Sequence, residues 1–266
     1  MLVRALADEY ELPPYEVERL LMVVTGAARA DLVTGLALGD DQKQQFAGLT
    51  ARRKAGEPLQ YLEGTVPFGP IEVAIDSRVL VPRPETEYLF ELLLEKVENP
   101  RVVVDLCTGS GNLALALKHS FPSARVLATD RSRGALAVAK MNASRLGLGV
   151  ELLEGDLFAP LPPELRGRVD LIVANPPYVA EADFAELPIE VRSYEPRDAL
   201  VAGPRGDEVI ARIASEVAEW LGSGGWLFCE IGETQSERAL ELFGASLRAE
   251  VMHDLAGKRR YIVARS

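Results

Sequence analysis

Apolar positions along the chain follow two regimes. Up to about residue 60 they recur at helical spacing. Residues 15–25 (YEVERLLMVVT) form an amphipathic run after Pro13-Pro14, and Asp40-Asp41 can cap a second helix that reaches about Lys54 and ends at Gly56 and Pro58. The pattern then alternates and is broken by Gly and Pro. Residues 65–68 and 71–75 read as a β-hairpin turning at Gly69-Pro70. From Thr86 onward short β-branched runs alternate with amphipathic ones. Strands are predicted over 101–106, 124–129, 150–153, 171–174, 225–231, 247–252 and 260–264, and helices over 88–97, 111–119, 132–146, 207–221 and 233–244. Such alternation requires crossovers and a mostly parallel sheet covered on both faces, while the last two strands, with no helix between them, make an antiparallel edge hairpin. The expected fold is α/β: a mostly parallel, seven-stranded Rossmann-like sheet with an antiparallel C-terminal hairpin, plus a small N-terminal helical domain. The expected divisions are 1–60 (helical), 61–84 (hairpin linker) and 85–266 (sheet domain).

Composition narrows the class of protein. At 266 residues, 48% hydrophobic and 26% charged, the chain suits one or two soluble domains. No apolar run approaches the about 20 residues of a membrane helix, and MLVRALADEYELPP is too acidic for a signal peptide, so a cytoplasmic protein is expected. Cys107 and Cys229 are the only cysteines and read as small buried residues; with only His119 and His253 besides, no metal site is expected. A net charge of −11 argues against a nucleic-acid substrate, and the basic stretch around Arg52-Arg53-Lys54 reads as a solvated helix face.

The chemistry lies at strand ends. Asp105-Leu-Cys-Thr-Gly-Ser-Gly111 follows the first strand of the sheet and opens a helix, a glycine loop of the kind that lets a ligand approach backbone. Asp105 would repel a pyrophosphate and suits a cationic amino group, unless it is only a turn residue. Asp130, ending the next strand, can accept from both ribose hydroxyls, or can cap the helix from Ser132. A nucleoside with a cationic amino-acid tail satisfies both acids, and S-adenosylmethionine is such a molecule. Asp156, at the third strand end, can bond the adenine amino group or make a turn, with Leu157 as an apolar neighbour of the ring. The fourth strand runs into Asn175-Pro-Pro-Tyr178. There the Asn175 side-chain oxygen and the Pro176 carbonyl can accept both N–H bonds of a planar nitrogen, and the Tyr178 ring can pack against the planar group. Orientation and preorganised electrostatics would then drive methyl transfer.

Asp105-x-x-Thr-Gly-Ser-Gly111 together with Asn175-Pro-Pro-Tyr178 resembles the class I S-adenosylmethionine-dependent methyltransferases. With Pro58-Leu-Gln-Tyr61, Val81-Pro-Arg-Pro-Glu-Thr-Glu87, Tyr194-Glu-Pro-Arg-Asp-Ala-Leu200, Glu230-Ile-Gly-Glu-Thr-Gln235 and Asp254-Leu-Ala-Gly-Lys258, the finer resemblance is to the HemK/PrmC family. Those proteins methylate the side-chain nitrogen of a release-factor glutamine, in the Gly-Gly-Gln loop. The resemblance implies that Cys107, Thr108, Gly109, Ser110, Gly111, Asp130, Leu157 and Asn175 line the cofactor site. It also implies that Asn175, Pro176, Pro177 and Tyr178 hold the glutamine, and that the Arg83–Glu85 loop lies over it. The alternative for that loop is a Pro-stiffened connector starting a helix at Glu85. Arg197 can anchor the loop after Tyr178 by pairing with an acid. Cys107 stands where many members carry Gly, and the helical domain is short for the family. The implied partners are class I release factors, with no nucleic acid and no membrane; the product is S-adenosylhomocysteine, and the two-domain layout suits a monomer. A ribosomal-protein glutamine, or an exocyclic amine of a nucleic acid, is the alternative acceptor.

Overall fold

The computed structural model describes residues 2–33 and 37–266; residue 1 and residues 34–36, within the helical domain expected over 1–60, lie outside the described residues. The chain divides into two compact units, Met1–Thr65 with Pro188–Tyr194, and Val66–Leu187 with Glu195–Ser266. The first contains α1 (Leu2–Tyr10), α2 (Pro14–Thr25), α3 (Asp40–Lys54) and α4 (Leu59–Glu63). α2 opens on Pro14, whose missing N–H is no loss in a first turn, and closes on Gly26 in the left-handed conformation at φ 66°. Its apolar stripe of Val17, Leu20, Leu21 and Val24 shares a core with Phe46, Leu49, Leu59 and Leu62.

The second unit begins with the hairpin of β1 (Thr65–Phe68) and β2 (Ile71–Ala74). Its turn needs glycine twice over: Gly69 has φ 51°, and a Cβ there would lie 2.8 Å from the Phe90 ring. α5 (Pro84–Lys96), β3 (Val102–Leu106), α6 (Asn112–Ser120), β4 (Arg125–Asp130), α7 (Arg133–Leu146), β5 (Glu151–Glu154) and β6 (Val169–Ala174) follow. Then come β7 (Val179–Ala180), α8 (Ile189–Tyr194), α9 (Arg197–Leu200), β8 (Val201–Gly203), α10 (Glu208–Trp220), β9 (Leu221–Glu230), α11 (Ser236–Gly244), β10 (Arg248–His253) and β11 (Arg259–Arg265). The seven-stranded sheet has the order β10-β11-β9-β6-β3-β4-β5. β6, β3, β4 and β5 run parallel with β9, and β11 pairs antiparallel with both β9 and β10, so that it alone runs against the other strands. Chain order reverses between β3 and β6, so a crevice opens outside their carboxyl ends, the place where sheets of this type bind ligands.

β9 starts earlier than the pattern predicts. Gly222 and Gly224 fall between the predicted helix and strand, yet with Gly225 they sit where the register jumps from Val169↔Leu221 to Leu171↔Trp226. A Cβ on Gly225 would lie 2.8 Å from the Val169 carbonyl, so the bulge needs bare backbone. The short parallel pair β7–β8 was also not predicted. α8 belongs with the first unit, where Arg53 of α3 pairs with Glu16 at 2.7 Å and with Glu190 of α8 at 2.8 Å, and the Tyr194 hydroxyl donates to the Ala55 carbonyl at 3.0 Å. Among the described residues no helix is long and apolar enough to cross a membrane, and no group of three or more His, Cys, Asp or Glu is placed to hold a metal ion.

Candidate active site

The loop from β3 to α6 turns on three left-handed residues, Cys107 (φ 59°), Gly109 (φ 56°) and Gly111 (φ 81°). Cys107 therefore holds a conformation that glycine adopts freely and an L side chain resists by roughly 1–2 kcal/mol. The loop is tied internally. Thr108 donates its N–H to the Thr129 carbonyl at 3.0 Å and its hydroxyl to Asp105 Oδ2 at 2.6 Å, and the Ala114 N–H also donates to that oxygen, at 3.2 Å. Asp105 Oδ1 is buried and has no partner among the described residues. Burial, with the charge of Asp130 adding, pushes the Asp105 carboxyl up to about 7, against the two bonds that favour its charged form.

Asp130 ends β4 with each oxygen taking one backbone donor, Oδ2 from Gly109 at 2.9 Å and Oδ1 from Ser132 at 2.8 Å. Ser132 itself caps α7, accepting from the Ala135 N–H at 3.2 Å. Asp130 is thus a turn partner rather than the helix cap, and each oxygen keeps a further lone pair. Burial raises its pKa. Beneath the loop, Asn142 is fully buried. It bonds both backbone groups of Ala74, at 2.7 and 2.9 Å, and donates to the Ser110 carbonyl at 2.9 Å, fixing the glycine loop to the hairpin. At the end of β5, Asp156 Oδ2 accepts from Arg212 at 2.6 Å, while Leu157 is buried with φ 50°.

These residues surround one cleft that is open to solvent. Asp105, Cys107, Thr108, Gly109 and Ser110 line it from β3 and its loop; Asp130, Asp156 and Leu157 line it from the next two strand ends, and Asn175 and Pro177 from the end of β6. Gly111, Pro176, Tyr178, Arg83 and Glu85 are not part of that lining. The reasons are physical. Gly111 serves helix packing, since a Cβ there would meet Ala139 and Leu115 at 3.2 Å. The Tyr178 hydroxyl donates to Glu230 Oε1 at 3.2 Å and its carbonyl accepts from Gln235 at 2.8 Å. Arg83 is held by the buried Glu195 at 2.5 Å, and Glu195 also accepts from the Val81 N–H at 3.3 Å. Glu85 lies in the first turn of α5, which begins at Pro84, its carbonyl accepting from the Tyr261 hydroxyl at 2.7 Å. Arg197 stands 3.6 Å from Glu181 and lies over the Phe184 ring at 4.4 Å, anchoring the chain after Tyr178.

Asn175 projects from the end of β6 with its Nδ2 donating to Thr86 Oγ1 at 2.9 Å, and Thr86 donates in turn to Glu230 Oε2 at 2.7 Å. Thr86 and Glu230 are both buried. Neither has a role assigned from sequence, although each lies in a stretch that carries the resemblance; the available signal was an acid closing a buried strand, as Asp105 and Asp130 do. Asn142, Glu195 and Arg212 were likewise missed, and each acts on a segment distant in sequence.

Comparison with known proteins adds a family to this geometry. Residues 2–64 match the PrmC N-terminal domain and residues 85–189 the Methyltransferase small domain. The release factor glutamine methyltransferase of Mycolicibacterium smegmatis is 44% identical over 82% of this chain and 78% of its own length. That of Deinococcus radiodurans is 42% identical over 95% of this chain and 91% of its own. Among solved structures, a methyltransferase from Pyrococcus furiosus shares the fold at a TM-score of 0.54, with 19% identity over 73% of this chain and 87% of that one.

Proposed function

The chain belongs to the release factor glutamine methyltransferase family, and from that premise we propose that it methylates the side-chain nitrogen of the glutamine in the Gly-Gly-Gln loop of class I release factors. S-adenosylmethionine supplies a methyl group already activated on a sulfonium. The residues around the cleft fit that molecule. The unpartnered Asp105 oxygen suits its ammonium, the free lone pairs of Asp130 its ribose hydroxyls, and Leu157 with Asp156 its adenine. Cys107, Thr108, Gly109 and Ser110 would border its amino-acid tail, and Gly109 leaves open space where a side chain would project.

The observation that carries the reading is that Asn175 lines the same cleft as both acids. Its amide nitrogen is committed to Thr86, so its oxygen is the end available to an acceptor N–H. The Pro176 carbonyl takes the second N–H. Held by two acceptors, the glutamine nitrogen keeps its lone pair out of conjugation and in line with the methyl carbon. The C–N bond forms as the S–C bond breaks, and the extra proton leaves the nitrogen afterwards. Tyr178 and Pro177 shape the wall against which the planar amide rests, and the Arg83–Glu85 segment borders that wall. A release factor as acceptor supports a cytoplasmic enzyme.

The test is methyl transfer from labelled S-adenosylmethionine to four acceptors: an unmodified class I release factor, the same factor with its Gly-Gly-Gln glutamine replaced, a ribosomal-protein fraction, and DNA. Label on the first alone is expected. Label on ribosomal protein or on DNA instead would move the substrate and overturn the proposal.

A further inference from the structure

Glu230 closes β9 at the carboxyl edge of the sheet and is 1% exposed. It forms no ion pair among the described residues; its two oxygens take hydrogen bonds from Thr86 and Tyr178. The groups that face it are Glu85 and Thr86 from α5, Tyr178 from the loop after β6, Arg260 and Tyr261 from β11, and Cys229 of its own strand. Arg260 is the single cation of that set. Burial outweighs it and the two hydroxyl bonds, and pushes the Glu230 carboxyl up to about 7.

An ionised carboxylate can only accept. It therefore claims the one hydroxyl hydrogen of Thr86, and Thr86 Oγ1 presents only lone pairs to Asn175. The Asn175 amide must then meet Thr86 with its NH₂ end, as the 2.9 Å bond from Nδ2 records. A protonated Glu230 reverses the logic. It can donate to Thr86 Oγ1, which frees the threonine hydrogen for Asn175 Oδ1 and lets the amide turn over. The NH₂ of Asn175 would then confront the NH₂ of the acceptor glutamine, donor against donor.

We propose that Glu230 is a positioning residue of this reaction: through the Thr86 hydroxyl it fixes the Asn175 amide with its oxygen toward the acceptor, and protonation of Glu230 releases that orientation. The proposal rests on the reading that Asn175 holds the acceptor. Placed one hydroxyl away from the group that touches substrate, Glu230 decides which end of Asn175 the substrate meets.

The test measures kcat with the full chain at saturating S-adenosylmethionine and release factor, from about pH 6 to about pH 8.5. Saturation keeps Asp105 paired, so its own titration does not enter. The variants are Thr86→Val, Thr86→Ser, Glu230→Gln and Asn175→Ala, with S-adenosylhomocysteine affinity of each measured by calorimetry. The wild type should lose rate about tenfold per pH unit on the acid side of an apparent pKa near 7. Thr86→Val and Glu230→Gln should fall about 10- to 100-fold and lose that acid limb, with cofactor affinity held within about threefold. Thr86→Ser, which keeps the hydroxyl, should regain most of the rate and the limb. A Thr86→Val enzyme that keeps wild-type rate and acid limb while Asn175→Ala is impaired overturns the relay and leaves the acceptor reading standing. Wild-type turnover by Asn175→Ala overturns both. Should Glu230→Gln fail to fold, the Thr86→Val and Thr86→Ser pair decides the matter.

Discussion

In the helical unit Glu16 is buried and Arg53 meets both its oxygens, at 2.7 and 2.9 Å, which together with the guanidinium charge holds its carboxyl below the ordinary range despite burial. At the carboxyl edge of the sheet Asp105 and Glu230 are buried at least as deeply, neither is paired with a cation among the described residues, and both are pushed up to about 7. The same residue class thus has two fates. One acid is completed by the fold and serves structure. The other two keep a desolvation cost that a bound ammonium or a proton can relieve; Asp105 lines the cleft, and Glu230 stands behind Thr86 and Asn175.

That contrast can be broken by experiment. Turnover should separate the regions most: Asn175→Ala should lose about 10²- to 10³-fold in methyl transfer while S-adenosylhomocysteine binding stays within a few-fold, checked by single-turnover kinetics and calorimetry. Stability should respond next. Arg53→Met strands the Glu16 carboxylate and should lower unfolding free energy by about 3 kcal/mol in a denaturant titration, with Glu16→Gln in the same chain recovering part of it. Asp105→Asn should do the reverse, stabilising the ligand-free protein by about 1–2 kcal/mol at pH 8 while weakening S-adenosylhomocysteine about 10- to 100-fold. Destabilisation by Asp105→Asn would show that this acid, too, is structural.

The two regions should also answer pH with opposite sign. Asp105 and Glu230 titrate higher in the folded chain than in the unfolded one, so the folded state holds the extra protons and stability falls as pH rises from about 4 through about 7. The folded pKa of Glu16 is lowered, so its contribution is present above the unfolded value and is lost as pH falls through the folded one. Hydrogen exchange read separately on α2 and on β9 from about pH 3 to about pH 7 would show the two trends. The smallest effect belongs to Cys107→Gly. Relief of the left-handed φ, about 1 kcal/mol, is offset by the backbone freedom glycine adds to the unfolded chain and by lost side-chain contacts, so stability should move by less than about 0.5 kcal/mol.

What the sequence disclosed was what is local. Asp105, Asp130 and Asn175 each follow a run of buried strand residues, so their place at the sheet's carboxyl edge could be read from the pattern alone, as could the seven strands and the closing hairpin. Glu230 ends a strand in the same way, but its meaning lies in Thr86, 144 residues away. The partner of Arg83 was equally illegible, because Glu195 lies 112 residues further along the chain. The bulge in β9 was hidden because a glycine cluster signals a turn and an irregular strand equally well.

The membership of α8 in the helical unit has a consequence for how such a chain can be cut and recombined. The backbone passes between the units at Thr65, again at Leu187 and once more at Tyr194. A gene fragment starting at Val66 would encode Ile189–Tyr194 without the α3 residues that receive it, leaving Glu190 without Arg53 and the Tyr194 hydroxyl without the Ala55 carbonyl. The helical unit is thus not a detachable cassette. An exchange of this unit between relatives would have to carry two separate stretches of coding sequence, so residues 188–194 and the N-terminal helices are bound to change together.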